Sequence, residues 1–242
     1  MEEGVNIGNV EAIRRYPIKS MAGEKLDQVY FSQSGIVLDR IAGFRHIGKN
    51  SSRNSQRHLT ARELPEMVRI KPDFSQFENS GLIFIDIPNY GRVSVQEAVK
   101  ILEKLSGKGP LEFIIDNENR IQDNNQISLV SRQSLLKVEQ EIPGVNDGCF
   151  RMNLHVNFLG DYDRPFSEDS LVGRYINLGE AVLAIKNLVN RCKMVNINPA
   201  SGESNEQVLG FISNQRKAKF GIYADVVQPG LVREGDSVFL IN

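Results

Sequence analysis

The chain has 242 residues, with 29 basic and 30 acidic side chains, 40% apolar residues and 24% charged ones. That length allows one large domain or two ordinary ones, and the composition supplies enough apolar volume for packed cores. The near-cancelled charge argues against the broad positive field on which general nucleic-acid binding relies, and no run approaches the roughly 18 uninterrupted apolar residues of a membrane span. The acidic start, MEEGVNIGNV, lacks the basic and apolar regions of a signal peptide, so the expectation is a soluble, cytoplasmic protein. Two cysteines, Cys149 and Cys192, and three histidines, His46, His58 and His155, make neither a CxxC pair nor a disulfide framework, which argues against structural zinc.

Short apolar or alternating runs bounded by turn residues recur along the chain: VEAIRRYPI, QVYFS, GLIFIDIP, LEFIID, NLHVNFL, AVLAIKNLV, ADVVQPG and SVFLIN. They predict a mainly β or α+β fold with a few helices. Early on, RRYPIKSMAGEKL puts Lys19 and Ser20 just after a Pro-ended strand, where a cation and a hydroxyl can both face a phosphate; a solvated turn explains them equally well. SGIVLDR ends on Asp39 and Arg40, and Arg40 can either fork onto a phosphate or pair with a neighbouring carboxylate. SRNSQRH reads as a polar loop, and HLTARELPEM as a strand leading to a Pro turn in which Arg62 is structural. SVQEAVKILEKLSG is the clearest helix: Ser94 and Glu97 form a capping box, Val95, Ala98, Val99, Leu102 and Leu105 share a face, and Gly107 can end it.

GPLEFIIDNENRIQDNNQ, residues 109 to 126, is polar and turn-rich and suits a domain junction, which places domains at 1–120 and 121–242. A second helix follows from Ser131 in SRQSLLKVEQEIPG, stopped by Pro143 and Gly144. Cys149 in NDGCFRMN sits beside Phe150 and takes no role. FRMNLHVNF, read as a strand, alternates Arg151 and Asn153 on one face against Met152 and Leu154 on the other. VNRCKMVNINPASGE then delivers Cys192, flanked by Arg191 and Lys193, to the mouth of a Pro/Gly turn. A thiolate favoured by cationic neighbours is a metal ligand or nucleophile; the plain alternative is a half-buried cysteine at a strand end. A third helix, SNEQVLGFISNQRK, offers Ser204 and Gln207 as a capping box, and PGLVREGDSVFLIN supplies a corner at Gly235 and Asp236 before a closing strand. The second half therefore reads as a small barrel or rolled sheet. No GxSxG elbow and no GxxxxGK[ST] loop occurs, which disfavours a serine hydrolase of the elbow type and an ordinary nucleotide hydrolase.

Taken together, these segments resemble the MOSC family, named for the C-terminal domain of molybdenum cofactor sulfurase, in the arrangement that includes the family's N-terminal β-barrel domain. In the first half the resemblance is carried by YPIKSMAGEKLDQVYFSQSGIVLDR and LTARELP. In the second it is carried by SLVSRQSL, FRMNLHV, FSEDSLVG, NRCKMVNINPASGE, KFGIYADVV and PGLVREGDSVFL. The resemblance departs at a stretched polar loop around Asn50 to Gln56, at Met152 where relatives often have proline, and between Ile87 and Gly91, which lacks a counterpart to a histidine of some relatives.

The resemblance implies a Mo–molybdopterin cofactor whose metal is ligated by Cys192. It further implies that Lys19, Ser20 and Arg40 hold the cofactor's anionic and pterin parts, with Ser131, Arg151, Asn153, Arg191 and Tyr223 as further contacts. It implies an oxidoreductase acting on a small-molecule substrate, similar to the members that reduce N-hydroxylated compounds. Since the chain carries no ferredoxin-like cysteine cluster, electrons would come from a separate flavin or iron–sulfur partner. The alternative is a cofactor carrier or sulfur-transfer protein without substrate turnover. A role for pyridoxal phosphate is left open.

Overall fold

The computed structural model describes residues 4–48, 57–116, 121 and 126–241. In chain order the first half carries β1 (Val5–Arg15), β2 (Glu24–Leu26), β3 (Gln28–Ser32), β4 (Gly35–Ile36), β5 (Ala42–His46), β6 (Lys71–Asp73), α1 (Phe77–Ser80), β7 (Phe84–Ile87), β8 (Gly91–Ser94), α2 (Val95–Ser106) and β9 (Leu111–Ile115). The second half carries β10 (Ile127–Ser131), α3 (Arg132–Glu141), β11 (Leu154–Phe158), β12 (Tyr175–Leu178), β13 (Ala181–Asn190), α4 (Gln207–Arg216), β14 (Lys219–Gln228), β15 (Gly230–Arg233) and β16 (Ser237–Ile241).

Seven strands close into a barrel in the order β1, β11, β10, β14, β13, β12, β16 and back to β1. Closure depends on β1, which pairs antiparallel with β11 on one side and with β16 on the other. Gly8 makes that double pairing possible, because a Cβ there would lie 2.3 Å from the Asn157 carbonyl oxygen. The single parallel pair of the barrel, β10 with β11, needs a crossover, and α3 provides it. Alternation in β13, with Ala181, Leu183 and Ile185 buried and the residues between them less so, turns one face inward as a half-buried strand requires.

The expected boundary near residue 120 falls on a position outside the described residues; the packing forms three cores. Ile7, Val10 and Ile13 of β1, Val29 and Phe31 of β3, and Ile36 of β4 pack in the barrel core with Leu129, Leu154, Ile176, Leu183 and Val238. Thus part of the first half belongs physically to the barrel. A second core gathers Ile18, Met21, Phe44, Leu59, Ala61, Leu64, Ala98 and Leu102, and it also takes in Ile197, with Met194 packed against it, from the segment after Cys192. A third core, with Val138, Phe150, Met152, Val195, Ile212 and Phe220, lies under α3 and α4. Burying Ile197 in the second core contributes about 2 kcal/mol toward holding the cysteine segment there.

Helix α2 follows the expected signals closely: the Ser94–Glu97 capping box forms, Ala98 and Leu102 are buried, and Gly107 adopts the left-handed C-cap conformation. Helix α4 does not use its expected capping box. Its N-cap is Glu206 without a side-chain bond, while Asn205 accepts from the Gln207 amide and Ser204 bridges to Ile197. Residues 59–64 form a turn stabilised by bonds from the Glu63 and Leu64 amides to the Thr60 carbonyl, followed by a short 3-10 helix over Pro65–Arg69, in place of the expected strand. The polar loop around Asn50 to Gln56 lies outside the described residues.

Gly221, in β14, gives a direct test of barrel packing. Its φ of +77° is left-handed, and a Cβ there would lie 2.3 Å from Met152 Cε and 2.8 Å from the Leu129 carbonyl. Gly221→Ala is expected to destabilise the protein by about 3 kcal/mol, combining backbone strain with overpacking. Gly91→Ala carries similar strain, with φ +75° but nothing within 4 Å, and should cost about 1 kcal/mol. Urea unfolding of the two variants measures the difference, and equal losses would contradict the packing account.

Candidate functional site

Three loops meet where the second core approaches the barrel: 16–21, 38–41 and 150–153. Their organising group is the fully buried Asp39 carboxylate. Its Oδ1 accepts the Tyr16 amide at 2.8 Å and Asn153 Nδ2 at 3.2 Å, while Oδ2 accepts from Arg40 Nη1. Asn153, buried in turn, accepts on its Oδ1 from Ser128 Oγ at 2.9 Å and from Arg40 Nη1 at 3.2 Å. Arg40 Nη2 donates to the Arg151 carbonyl at 3.0 Å. Arg40 thus pairs with the neighbouring carboxylate through Nη1, and Asn153 joins the loops.

Arg151 and Asn153 do not alternate along a strand as expected, because β11 begins only at Leu154 and Arg151 adopts a left-handed φ of 52°. That turn swings the Arg151 guanidinium to the Tyr16 ring, 4.3 Å from its centroid, while the Arg40 guanidinium lies 4.9 Å from the same ring. Tyr16, which the sequence did not single out, therefore carries two cations on one buried aromatic, a favourable quadrupole contact worth about 1 kcal/mol or more each when desolvated. Burial raises the Tyr16 hydroxyl above its ordinary pKa, against the pull of Arg151, Arg14 and Arg40.

Arg151 Nη1 donates to the Met21 carbonyl at 2.6 Å, and Nη2 is buried with no hydrogen-bond partner among the described residues. Burial pushes its pKa down to about 10. Arg191 is likewise pushed down to about 10 by burial. Its Nε and Nη1 donate to the Phe220 and Phe150 carbonyls at 2.9 Å each, and Nη2 lies 2.6 Å from Met152 sulfur. Two half-buried guanidinium groups thus bond to neutral acceptors, a costlier arrangement than pairing with a carboxylate. Arg40 differs: burial would lower it, but Asp39 raises it above its ordinary value.

Lys19 is buried and donates to the Ile121 carbonyl at 3.2 Å, and its amide bonds the Ala42 carbonyl. Ser20 beside it is buried with φ 66°. Ser20, Arg40 and Arg151 are all non-glycine residues in left-handed backbone, which costs roughly 1–3 kcal/mol each and concentrates at ligand clamps. Tyr223 lies within electrostatic reach of both Arg40 and Arg191. Ser131 stands apart. It is fully buried as the N-cap of α3, and its hydroxyl donates to Glu168 at 2.8 Å, with Ser134 donating to the same oxygen at 2.9 Å. The acid at that helix end is the protein's own Glu168 carboxyl, whose pKa burial raises.

Cys192 is half-buried at the end of β13. The cation hydrogen-bonded to its sulfur is neither of its chain neighbours: Arg191 turns inward to the third core, though still within electrostatic reach of the thiol, and Lys193 faces solvent. Arg62, expected to be structural, donates from Nη2 to Cys192 Sγ at 3.2 Å. Only its place in the Thr-x-Arg-x-x-Pro segment could have drawn attention to it. Cys149 is buried, and desolvation pushes its thiol up to about 12, in keeping with an inert residue.

Residues 116–239 match the MOSC domain, and residues 7–120 match the MOSC N-terminal beta barrel domain. The chain belongs to the MOSC family, in its two-domain arrangement, and MOSC domains are associated with molybdenum cofactor binding in general. No curated protein matches the chain. Among solved structures, the YUAD protein from Bacillus subtilis is similar with a TM-score of 0.52 at 15% identity, over 96% of this chain and 94% of that one. YiiM from Geobacillus stearothermophilus gives a TM-score of 0.38 at 18% identity, over 48% of this chain and 54% of that one. At these identities the likeness to YUAD speaks to the fold alone. No helix among the described residues is long and apolar enough to cross a membrane.

Behind Arg151 the segment 147–150 is held by Asp147, which accepts from Arg14 Nη2 at 2.9 Å and lies 3.5 Å from His155 Nδ1. Burial lowers His155 to about 4, Arg14 adds to the lowering, and Asp147 opposes it. The unfolded histidine, near 6.5, binds a proton that the folded one refuses. Stability is therefore full above about pH 6.5 and falls as pH drops toward 4, by up to about 3 kcal/mol. In His155→Gln, urea unfolding at pH 7 and at pH 4.5 should differ by about 2 kcal/mol less than in the parent; an unchanged difference would contradict this assignment.

Proposed function

We propose that the protein binds a molybdenum–molybdopterin cofactor and works as an oxidoreductase on N-hydroxylated small molecules, taking electrons from a separate flavin or iron–sulfur protein. The observation that carries this reading is a half-buried thiol touched by Arg62 and within electrostatic reach of Arg191, in a chain where the half-buried guanidinium groups of Arg151 and Arg191 bond to carbonyls and sulfur and, among the described residues, to no carboxylate. A soft thiolate suits molybdenum already bound by dithiolene sulfur, and guanidinium groups suit a phosphate or an anionic pterin edge. Cys192 would hold the metal. Lys19, Ser20, Arg40 and Arg151 would hold the anionic parts, with Asn153, Arg191 and Tyr223 fixing their positions from behind.

When bound, the cofactor supplies oxygen-atom transfer and electron storage. The chain's own contribution is to bind, orient and balance charge. Arg151 offers an unused N–H to an incoming anion, and Tyr16 keeps that guanidinium in place. Asp39 holds Arg40 ionised. Ser131 drops out of the ligand set in this reading, because its hydroxyl and the helix end behind it are occupied by Glu168.

Anaerobic purification from a cofactor-competent host, with molybdenum and pterin quantified, tests the proposal, followed by reduction of a simple N-hydroxy compound with an artificial donor. Near-stoichiometric metal with turnover supports it. Bound cofactor without turnover assigns the carrier or sulfur-transfer role, and a metal-free, pterin-free chain overturns both. Cys192→Ser should fold normally yet retain at least about tenfold less molybdenum. Arg151→Met should also lose about tenfold in retention, while its unfolding free energy changes little, since removing a charge that has no carboxylate partner among the described residues offsets the lost Met21 bond and Tyr16 contact. A matching loss of stability would mean that Arg151 serves the fold alone.

A further inference from the structure

Arg62 sits between two anchors. Leu59, Ala61 and Leu64 are buried in the second core, and the Thr60 carbonyl accepts both the Glu63 and Leu64 amides, so the turn presenting Arg62 is fixed at both ends. The sulfur it reaches is fixed by the same core, because Ile197 is buried there and Met194 packs against it. Around Cys192 the backbone is also tied: the Arg191 amide bonds the Ala218 carbonyl at 2.7 Å, and the Val195 amide bonds the Cys192 carbonyl at 3.1 Å. Donor and acceptor lie 130 residues apart in the chain, yet both are rooted in one packed cluster. A guanidinium cannot shed its charge at ordinary pH and presents its N–H groups in a rigid fork, so its effect on the neighbouring sulfur is directional and permanent.

We propose that Arg62 is the positioning residue of the Cys192 site. It holds Sγ in one orientation from the core that both segments share and fixes a positive charge beside the sulfur, so that an anionic ligand or reagent is drawn to the sulfur ahead of a neutral one of the same size. This deepens the cofactor reading and rests on Cys192 being the site's working sulfur, since donors to a metal-ligating group orient it and tune the metal it holds.

The test uses the full chain free of metal. Cys192 is alkylated with iodoacetate and, separately, with iodoacetamide, and the ratio of the two rates is divided by the same ratio for a small free thiol in the same buffer. The neutral reagent cancels differences in access and ionisation, leaving the local charge. Cys149 contributes nothing, being buried, with its thiol pushed up to about 12, and Cys192→Ser provides that control. The parent should favour the anionic reagent, and Arg62→Gln should lose about fivefold of that preference, the effect of one charge near 4 Å in aqueous dielectric. Arg62→Lys should keep most of it. Arg62→Met gives a second neutral variant if the glutamine form folds poorly.

An unchanged ratio in the neutral variants overturns the assignment, whether or not the parent carries molybdenum. Loss of preference with restoration by lysine supports it even if no metal is found, so failure of the Arg62 role and failure of the cofactor reading are told apart.

Discussion

The arrangement depends on one buried carboxylate. Asp39 accepts the Tyr16 amide, the Arg40 guanidinium and the Asn153 amide group, and these three partners come from three separate loops. Because an ionised carboxylate sealed from water is tolerated only when paired and hydrogen-bonded, these bonds are obligatory and the loops must meet. Tyr16 then stands between the guanidinium groups of Arg40 and Arg151, and Asn153 carries the connection to Ser128 on β10. Packing brings the barrel and the second core together, and this network sets their register at the site.

The same geometry leaves charge in excess. Arg40 is balanced by Asp39, whereas Arg151 and Arg191 are half-buried against carbonyls and sulfur. A fold selected only for stability would exchange such groups for hydrocarbon of similar volume at little cost. Their presence, with Ser20, Leu38, Arg40 and Arg151 held in left-handed backbone in the three loops, is what the proposed binding site rests on. By contrast, Glu168 at the start of α3 is internally satisfied by Ser131 and Ser134, which shows how this chain treats a helix end that needs no ligand.

Where local signals dictate local structure, the sequence was legible. Helix α2 carries its capping box, apolar face and terminal glycine within one short stretch, and all three act as their chemistry requires. The barrel's strands showed in their alternation, and the turn with Pro199 and Gly202 after Cys192 forms. Contacts across long separations were not legible. Nothing in residues 59–64 tells that Arg62 will meet a sulfur 130 positions away, and nothing in FRMN tells that Arg151 will break the strand period by turning left-handed. The cations beside Cys192 in the chain part ways: Lys193 faces solvent, while Arg191 packs on Phe150 and Phe220 yet stays within electrostatic reach of the sulfur. The membership of β1, β3 and β4 in the barrel core was hidden too, because barrel closure is a property of the whole chain.

What joins these points is the claim that Cys192 presents its sulfur to a metal carried by an anionic cofactor. X-ray absorption at the molybdenum edge of anaerobically purified protein addresses it most directly. The account predicts one more sulfur neighbour around molybdenum in the parent than in whatever metal Cys192→Ser retains. The same sulfur count in both, or no molybdenum absorption in the parent, would contradict it.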